Sequence, residues 1–378
     1  MHRQYGPIIR VSPEEIHISD PLFYHELFVP SHIRKTNAYT RYAKGTGFEG
    51  ELHPNDSGTL TVRLDVATTA TFLFPSDYLN EPTFNAKLFD IQKSGLVHVP
   101  LFAHLPFLAR AFTSPFVDFL ASCIPELRDW DEKTRRQTFR EELREPAMKI
   151  QGRSSIWRRS SIASRIGKLI QQNGIFHVSH TIETVITHLA MDDNQRQLLK
   201  DELEAFWVEH PTEVSSWFAL RQLPYLTACI YEGLRLGAGS MKRSPRVFPD
   251  DDIIYKNWVI PKGTPISMTT YYMHMDSTIF PEPQNFDPGR WLKTDLNPLM
   301  HGYLVPFGKG SRACAGQNIA WMQMYFAISQ LYQPGGPEIE LFESDETDVR
   351  LAHGYVFPQP RLDSRGVRVF IHTPAKSV

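Results

Sequence analysis

The chain has 378 residues, of which 42% are hydrophobic and 22% charged, a balance that suits a soluble globular protein with a sizeable core. Its formal net charge of -2 argues against a protein that works by bulk attraction to nucleic acid or to an acidic membrane. Three cysteines (Cys123, Cys229, Cys314) are too few for a disulfide framework and fit a reducing compartment. No apolar run is long enough to span a bilayer and no signal peptide is visible.

In chain order, Ile8 to Val11 and Glu15 to Ile18 read as short strands around the turn Ser12-Pro13-Glu14. Asp20-Pro21 starts a helical stretch through Leu27. Gly45 to Gly58 is rich in Gly, Pro, Asn and Asp and reads as loop. Within it, Asn55-Asp56-Ser57 has sequon spacing, a triplet common by chance. From Phe84 to Leu120, helical segments rich in Phe and Leu alternate with breaks at Pro100, Pro106 and Pro115. Arg135, Arg136, Arg140 and Arg144 lie among Glu residues, as on a solvated helix face, and Arg153, Arg158 and Arg159 read as a surface loop.

Ile166, Ile170, Gly174, Val178, Ile182, Val185 and Leu189 share one stripe, which predicts a long helix from Ser161 to Met191. A glycine inside it costs roughly 1 kcal/mol relative to alanine. Gly174 is tolerable there if another group must approach the backbone closely. Pro224 opens the next clear helix, through Leu226, Ile230 and Leu234. Glu232 and Arg235 share its face at i and i+3, a spacing that means little alone. Strand-like runs follow at Ile253 to Tyr255, Trp258 to Ile260 and Ile266 to Met268, with Pro261-Lys262-Gly263 as a turn. Leu351 to Pro358 reads as an apolar loop tip, and Leu362 to Val369 as a hairpin-like strand.

Between these lies Pro306-Phe307-Gly308-Lys309-Gly310-Ser311-Arg312-Ala313-Cys314-Ala315-Gly316, a glycine-punctuated loop. It delivers one cysteine to the start of a helix marked by Trp321, Met324, Ile328 and Leu331 and stopped by Pro334-Gly335-Gly336-Pro337. A cysteine at a helix N-terminus is favoured as thiolate, which makes Cys314 a candidate metal ligand or nucleophile. A lone cysteine is more often a buried structural one, and the length of the pattern around Cys314 outweighs that reading.

The whole pattern F-x-x-G-x-R-x-C-x-G, from Phe307 to Gly316, resembles the haem-binding loop of the cytochrome P450 family. The resemblance implies a mainly α fold with a small β region, holding haem b. Cys314 would be the axial ligand of the haem iron, with Phe307 packed beside the sulfur, Gly308 in the cofactor-binding loop where it and Gly310 allow a sharp turn, and Arg312 on a haem propionate. Glu232-Gly233-Leu234-Arg235, preceded by Leu223-Pro224-Tyr225-Leu226, resembles the family's E-x-x-R helix, with Arg290 in Phe280 to Trp291 as third member of a structural triad. Arg246 in Ser244-Pro245-Arg246-Val247 matches a second propionate-binding arginine. Gly237 to Met241 and the loop tip at Leu351 to Pro358 would contact substrate, and the Phe-rich stretch from Phe84 to Leu120 would roof it or serve as ordinary core.

The chain also departs from the family. The N-terminal anchor of eukaryotic relatives is expected to be missing. Phe48-Glu49-Gly50 runs almost directly into Thr59-Leu60-Thr61-Val62, where relatives carry the first propionate-binding helix and a further one. The chain is thus expected to be a single, truncated cytochrome P450 domain over 1–378 with an internal deletion near 50–58. Counting back without a gap from Thr187 to Leu203 places Gly174 on the family's distal glycine, Phe176 on its acid and His177 on its threonine. A rival register pairs Glu183 with Thr184 but needs a deletion inside a continuous helix. In the first register His177 could relay protons, ligate the iron from the distal side, or simply bond a helix neighbour such as Thr181.

The C-terminal third most resembles filamentous-fungal secondary-metabolism members, such as trichodiene-oxygenase-like enzymes. The expected function is haem-thiolate monooxygenation of a small apolar natural product (terpenoid, polyketide or alkaloid). Electrons would come from NADPH through NADPH–cytochrome P450 reductase, with no nucleic-acid partner. The chain is expected to be a monomer, cytoplasmic or peripheral at the endoplasmic reticulum surface. The alternatives are a haem-thiolate enzyme of non-oxygenating chemistry, such as rearrangement or dehydration, and a truncated non-catalytic relative.

Overall fold

The computed structural model describes residues 1–28, 37–38, 177–210, 217–241, 243–292, 299–310, 313–314, 316–354 and 358–372. The chain divides into two compact units, Met1–Asn37 with Gly174–Val378, and Ala38–Asn173. The first unit holds the described elements. Readings that fall on residues 45–176, Gly174 and Phe176 included, lie outside the described residues, and so does Arg312.

The N-terminal part is α1 (His2–Tyr5), β1 (Ile8–Arg10), β2 (Ile16–Ile18) and α2 (Pro21–Phe28), then β3 (Asn37–Ala38). β1 and β2 pair antiparallel, Ile9 opposite His17, and the Ser12 hydroxyl accepts the Glu14 and Glu15 amides in the turn. Asp20 accepts the Leu22 amide, so α2 starts where proline fixes its first φ.

Four helices form the second half of the framework: α3 (residues 177–191), α4 (Asp193–Glu209), α5 (Trp217–Leu220) and α6 (Pro224–Leu236). α3 ends at the predicted Met191, and Asp192 caps α4 by accepting the Gln195 amide at 3.0 Å. α6 has no acceptor at its own cap residue, Leu223. Glu202 of α4 fills that role from outside, its two oxygens accepting the Tyr225 and Leu226 amides at 2.7 Å each. A Cβ on Gly233 would lie 2.4 Å from Val185 Cγ2, so the glycine is what lets α6 approach α3 so closely.

The remaining elements are β4 (Arg246–Val247), β5 (Ile253–Tyr255), β6 (Trp258–Ile260), β7 (Ile266–Ser267), α7 (Thr270–His274), a 3-10 turn (Pro288–Trp291), α8 (Leu299–Tyr303), α9 (Gln317–Leu331), β8 (Glu338–Leu341), β9 (His353–Gly354), β10 (Pro358–Gln359) and β11 (Val369–His372). The main sheet has the order β1-β2-β7-β4-β3, with β2 and β7 parallel. β5–β6, β9–β10 and β8–β11 are separate two-stranded pairs. The fold is mainly α with a small β region, as expected.

One apolar core joins α3, α4, α6 and α9 through Val185, Leu189, Leu203, Ile230, Met324 and Ile328. A second lies between the sheet, α2 and α7, through Ile18, Leu27, Ile266, Met273, Phe280 and Val305. Burial of these side chains supplies most of the driving force for each half.

One expectation needs correction. The predicted strand from Leu362 to Val369 begins only at Val369, which pairs with Leu341. The preceding residues turn towards Asp348, whose carboxylate accepts the Ser364 hydroxyl at 2.5 Å and lies 3.4 Å from Arg361. Within the stretch from Leu351 to Pro358, read as a loop tip, His353–Gly354 pairs antiparallel with Pro358–Gln359.

Candidate haem-thiolate site

The framework of the site is a buried knot of charge. Glu232, Arg235 and Arg290 are 0%, 0% and 4% exposed. Arg235 meets Glu232 in a bidentate pair, Nε to Oε2 at 2.9 Å and Nη2 to Oε1 at 2.7 Å. Arg290 Nε donates to Glu232 Oε1 at 3.0 Å, and Trp291 Nε1 to Oε2 at 2.9 Å. The Asp287 amide adds a further bond to Oε1 at 3.0 Å. The arginines spend their other donors on main-chain carbonyls: His274, Pro283 and Asn285 for Arg235, Pro281 for Arg290. Burying three charges is costly, and it is tolerable here because these carbonyls and donors meet each charged group. The structure therefore brings together the three residues that the sequence grouped.

The cysteine loop leaves α8 at Val305. The Val305 carbonyl accepts the Gly308 amide at 3.0 Å, closing a turn with Gly308 at φ 68° and Gly310 at φ 75°. Both values lie in the region where a side chain is strained. The loop returns so that the Cys314 amide donates to the Phe307 carbonyl at 2.8 Å. Phe307 itself packs against Trp321 of α9, ring centroids 5.7 Å apart. Gly316 caps α9, its carbonyl accepting the Ile319 and Ala320 amides.

Here a second correction arises. Cys314 lies two residues before the cap, at the start of the helix, whose bonds begin at the Gly316 carbonyl. The expected lowering of the thiol pKa is not found. Desolvation of the sulfur raises it, and the Gly316 amide, which donates to the sulfur, offsets this only in part. The residue as a whole is exposed, so its sulfur combines a protein-lined back with an accessible front. A coordinated cation inverts that balance, since a thiol that binds a metal gives up its proton outright. Cys229, the other free cysteine among the described residues, is buried within the helical core and its thiol is pushed far up. Of these two, Cys314 alone fits an iron ligand.

Arg246 stands on β4, its Nη1 donating to the Ser244 and Pro245 carbonyls and its guanidinium 5.0 Å from the Phe28 ring centroid. His177 opens the described part of α3, half-buried, and its carbonyl accepts the Thr181 hydroxyl at 2.9 Å. In the rival register, Thr184 is buried and donates to the His180 carbonyl, while Glu183 lies 3.9 Å from His180 and accepts the Val367 amide. Both threonine hydroxyls are thus bonded back to their own helix. A Cβ on Gly239 would strike the Pro306 carbonyl at 2.4 Å, so the segment after α6 lies directly on the cysteine loop. A Cβ on Gly354 would meet Met241 at 2.9 Å, so the two segments expected to contact substrate lie side by side.

The sequence reading overlooked three groups. Glu202 caps α6 from a neighbouring helix, His274 bonds the entry to the cysteine loop, and His180 is buried with its Nε2 lacking a partner among the described residues. No local spacing marks any of them.

A glycine-turned loop that carries a single cysteine, close to a buried Glu232–Arg235–Arg290 knot, is the arrangement that the sequence pattern leads one to expect of a haem-thiolate protein. The family model for cytochrome P450 matches residues 173–334. The cytochrome P450 monooxygenase oblB of Emericella variicolor is 32% identical over 450 aligned positions, covering 98% of this chain and 82% of the relative. Fusicoccadiene C-8 hydroxylase of Phomopsis amygdali is 29% identical, with 98% and 85% covered. Stellatic acid synthase of Emericella variicolor is 28% identical, with 98% and 84% covered. This chain belongs to the cytochrome P450 family. It is a monooxygenase-type oxidoreductase of the fungal secondary-metabolism kind, with haem as cofactor and NADPH electrons delivered through a redox partner.

Haem, when bound, supplies the oxygen chemistry, and thiolate donation favours O–O cleavage. The chain's own part is to hold the sulfur, orient it through the Phe307 and Gly316 backbone, and keep the framework behind it rigid. No helix among the described residues is long and apolar enough to cross a membrane.

Proposed function

We propose that the chain inserts one oxygen atom into a small apolar natural product, with Cys314 as axial ligand of the haem iron. The geometry of the cysteine loop carries this reading: two left-handed glycines turn the chain, and the Phe307 carbonyl and Gly316 amide orient the residue and its sulfur. Arg312 and Arg246 bind the propionates, and Phe307 and Gly308 flank the sulfur. Gly174 gives the haem room on the distal helix, and His177 carries protons there. Glu232, Arg235 and Arg290 are structural. The relatives' names favour an apolar substrate, since one of them hydroxylates a diene at carbon 8.

The proposal includes one domain over 1–378 with an internal deletion near 50–58. The length of the alignments supports the loss of residues within the chain, because 450 aligned positions exceed its 378 residues. The electron donor is NADPH–cytochrome P450 reductase, and the protein works as a monomer, cytoplasmic or at the endoplasmic reticulum surface.

Product analysis with reductase, in the presence and absence of NADPH and oxygen, tests the reading. Turnover should require both, with one oxygen atom from labelled dioxygen in the product. Unchanged anaerobic turnover would overturn it in favour of rearrangement or dehydration.

A further inference from the structure

We infer that His274 is a positioning residue for the cysteine ligand, linking the Glu232–Arg235 pair to the entry of the Cys314 loop. The inference rests on Cys314 being the haem ligand.

His274 ends α7 and is wholly buried. It makes two bonds in different directions. Its carbonyl accepts Arg235 Nη1 at 3.0 Å, so its main chain is fixed by the knot. Its ring Nε2 accepts the Val305 amide at 2.9 Å. An amide can only donate, so Nε2 holds the lone pair and the ring proton sits on Nδ1. Burial and the nearby Arg235 charge push the imidazole pKa down to about 3, which keeps that acceptor available at neutral pH.

Val305 is the point at which this bond matters most. It is 1% exposed, so its amide has no access to water. Pro306 follows and has no N–H, so Val305 holds the last main-chain donor before Phe307. The Val305 carbonyl accepts Gly308, and the Phe307 carbonyl accepts Cys314. Only Pro306 therefore separates the residue that His274 bonds from the one whose carbonyl fixes the cysteine. A displacement of Val305 passes directly to the turn and to the sulfur.

The arrangement has a cost that argues against simple packing. His274 Nδ1, which must carry the proton, has no acceptor among the described residues. A buried donor left unmet costs about 1–3 kcal/mol. An apolar side chain of similar size would avoid that cost but would leave the Val305 amide unmet instead. What the imidazole adds is a fixed acceptor at one point in space, tied through its own carbonyl to Arg235.

The test compares the holoenzyme with His274→Leu and His274→Gln. Glutamine can present its amide oxygen near the Nε2 position; leucine presents no acceptor. The readout is the ferrous carbon monoxide spectrum, in which a thiolate ligand gives a band distinct from that of a protonated thiol. On mild heating, H274L should convert from the thiolate band to the thiol band about tenfold faster than wild type, as expected for an unmet buried amide. H274Q should match wild type within about twofold. Equal behaviour of all three proteins, or equal impairment of both variants, would overturn the inference. If H274L yields no holoenzyme, amide hydrogen exchange decides. The Val305 and Cys314 amides of H274Q should then stay as protected as in wild type, and fast exchange at Val305 in wild type would overturn the role. A wild-type protein with no thiolate band would defeat the ligand assignment of Cys314 itself, a separate outcome.

Discussion

The knot around Glu232 and the loop around Cys314 are built in opposite ways. The knot is made of side chains, fully buried, each charged group surrounded by partners that meet it. The loop is made of backbone, held by carbonyl–amide bonds and two left-handed glycines, and its key side chain is exposed. The knot can be complete without any added group, because its charge is met from within. The loop has a sulfur whose proton is favoured by burial. The frame therefore has its charge met from within, whereas the loop presents a cysteine with an open side.

Breaking the knot should therefore affect folding first. Glu232→Ala would leave Arg235 and Arg290 buried without their shared carboxylate. The expected cost is about 3–5 kcal/mol, read as a lowered midpoint in urea unfolding. A loss below about 1 kcal/mol would mean that the frame does not depend on the pair.

Acid should weaken the frame through its buried imidazoles. His17 is held at about 4 and His274 at about 3, both below their ordinary 6.5, chiefly by desolvation. Below pH 6.5 the unfolded chain binds protons that these folded groups refuse, so stability falls as pH drops from 6.5 towards 4. The H17Q/H274Q double variant should lose that part of the slope in unfolding measured across pH. An unchanged slope would place its origin in other groups.

Between frame and distal helix, Gly233→Ala should be felt as overpacking. The added methyl would lie 2.4 Å from Val185 Cγ2 and 3.2 Å from the Thr181 carbonyl. About 1–3 kcal/mol of destabilisation is expected by thermal unfolding, relieved by Val185→Ala in the same chain.

The smallest effect concerns Glu202. Replacing it by glutamine keeps one of the two acceptors at the start of α6 and removes the charge, at a cost of about 1 kcal/mol. Burial raises the folded pKa of Glu202 above 4.5, so the native state binds the extra proton. Stability from this group therefore falls as pH rises through that window and is flat above it. Glu202→Gln should abolish this component in unfolding measured from acid to neutral pH.

The same contrast explains what the sequence revealed. The grouping of Glu232, Arg235 and Arg290 was legible only through the resemblance of the runs around them to the family's motifs, since the i, i+3 spacing means little alone. Cys314 was legible because its loop is spelled out by glycine, arginine and cysteine. Its thiol pKa was misjudged, since burial outweighs an amide that only partly offsets it. His274 and Glu202 were illegible because each serves a main-chain amide more than twenty residues away, and no local pattern encodes such a partner. The strand after Leu362 starts late because Asp348, in a distant turn, draws Ser364 and Arg361.

The most direct test of the central claim is the ferrous carbon monoxide difference spectrum of the purified, haem-loaded protein and of Cys314→Ala. Wild type should show the red-shifted Soret band of thiolate ligation, and the variant should lose it while its far-ultraviolet circular dichroism stays unchanged. A wild-type protein that is folded but gives no such band, or a variant that keeps it, would contradict Cys314 as the haem ligand.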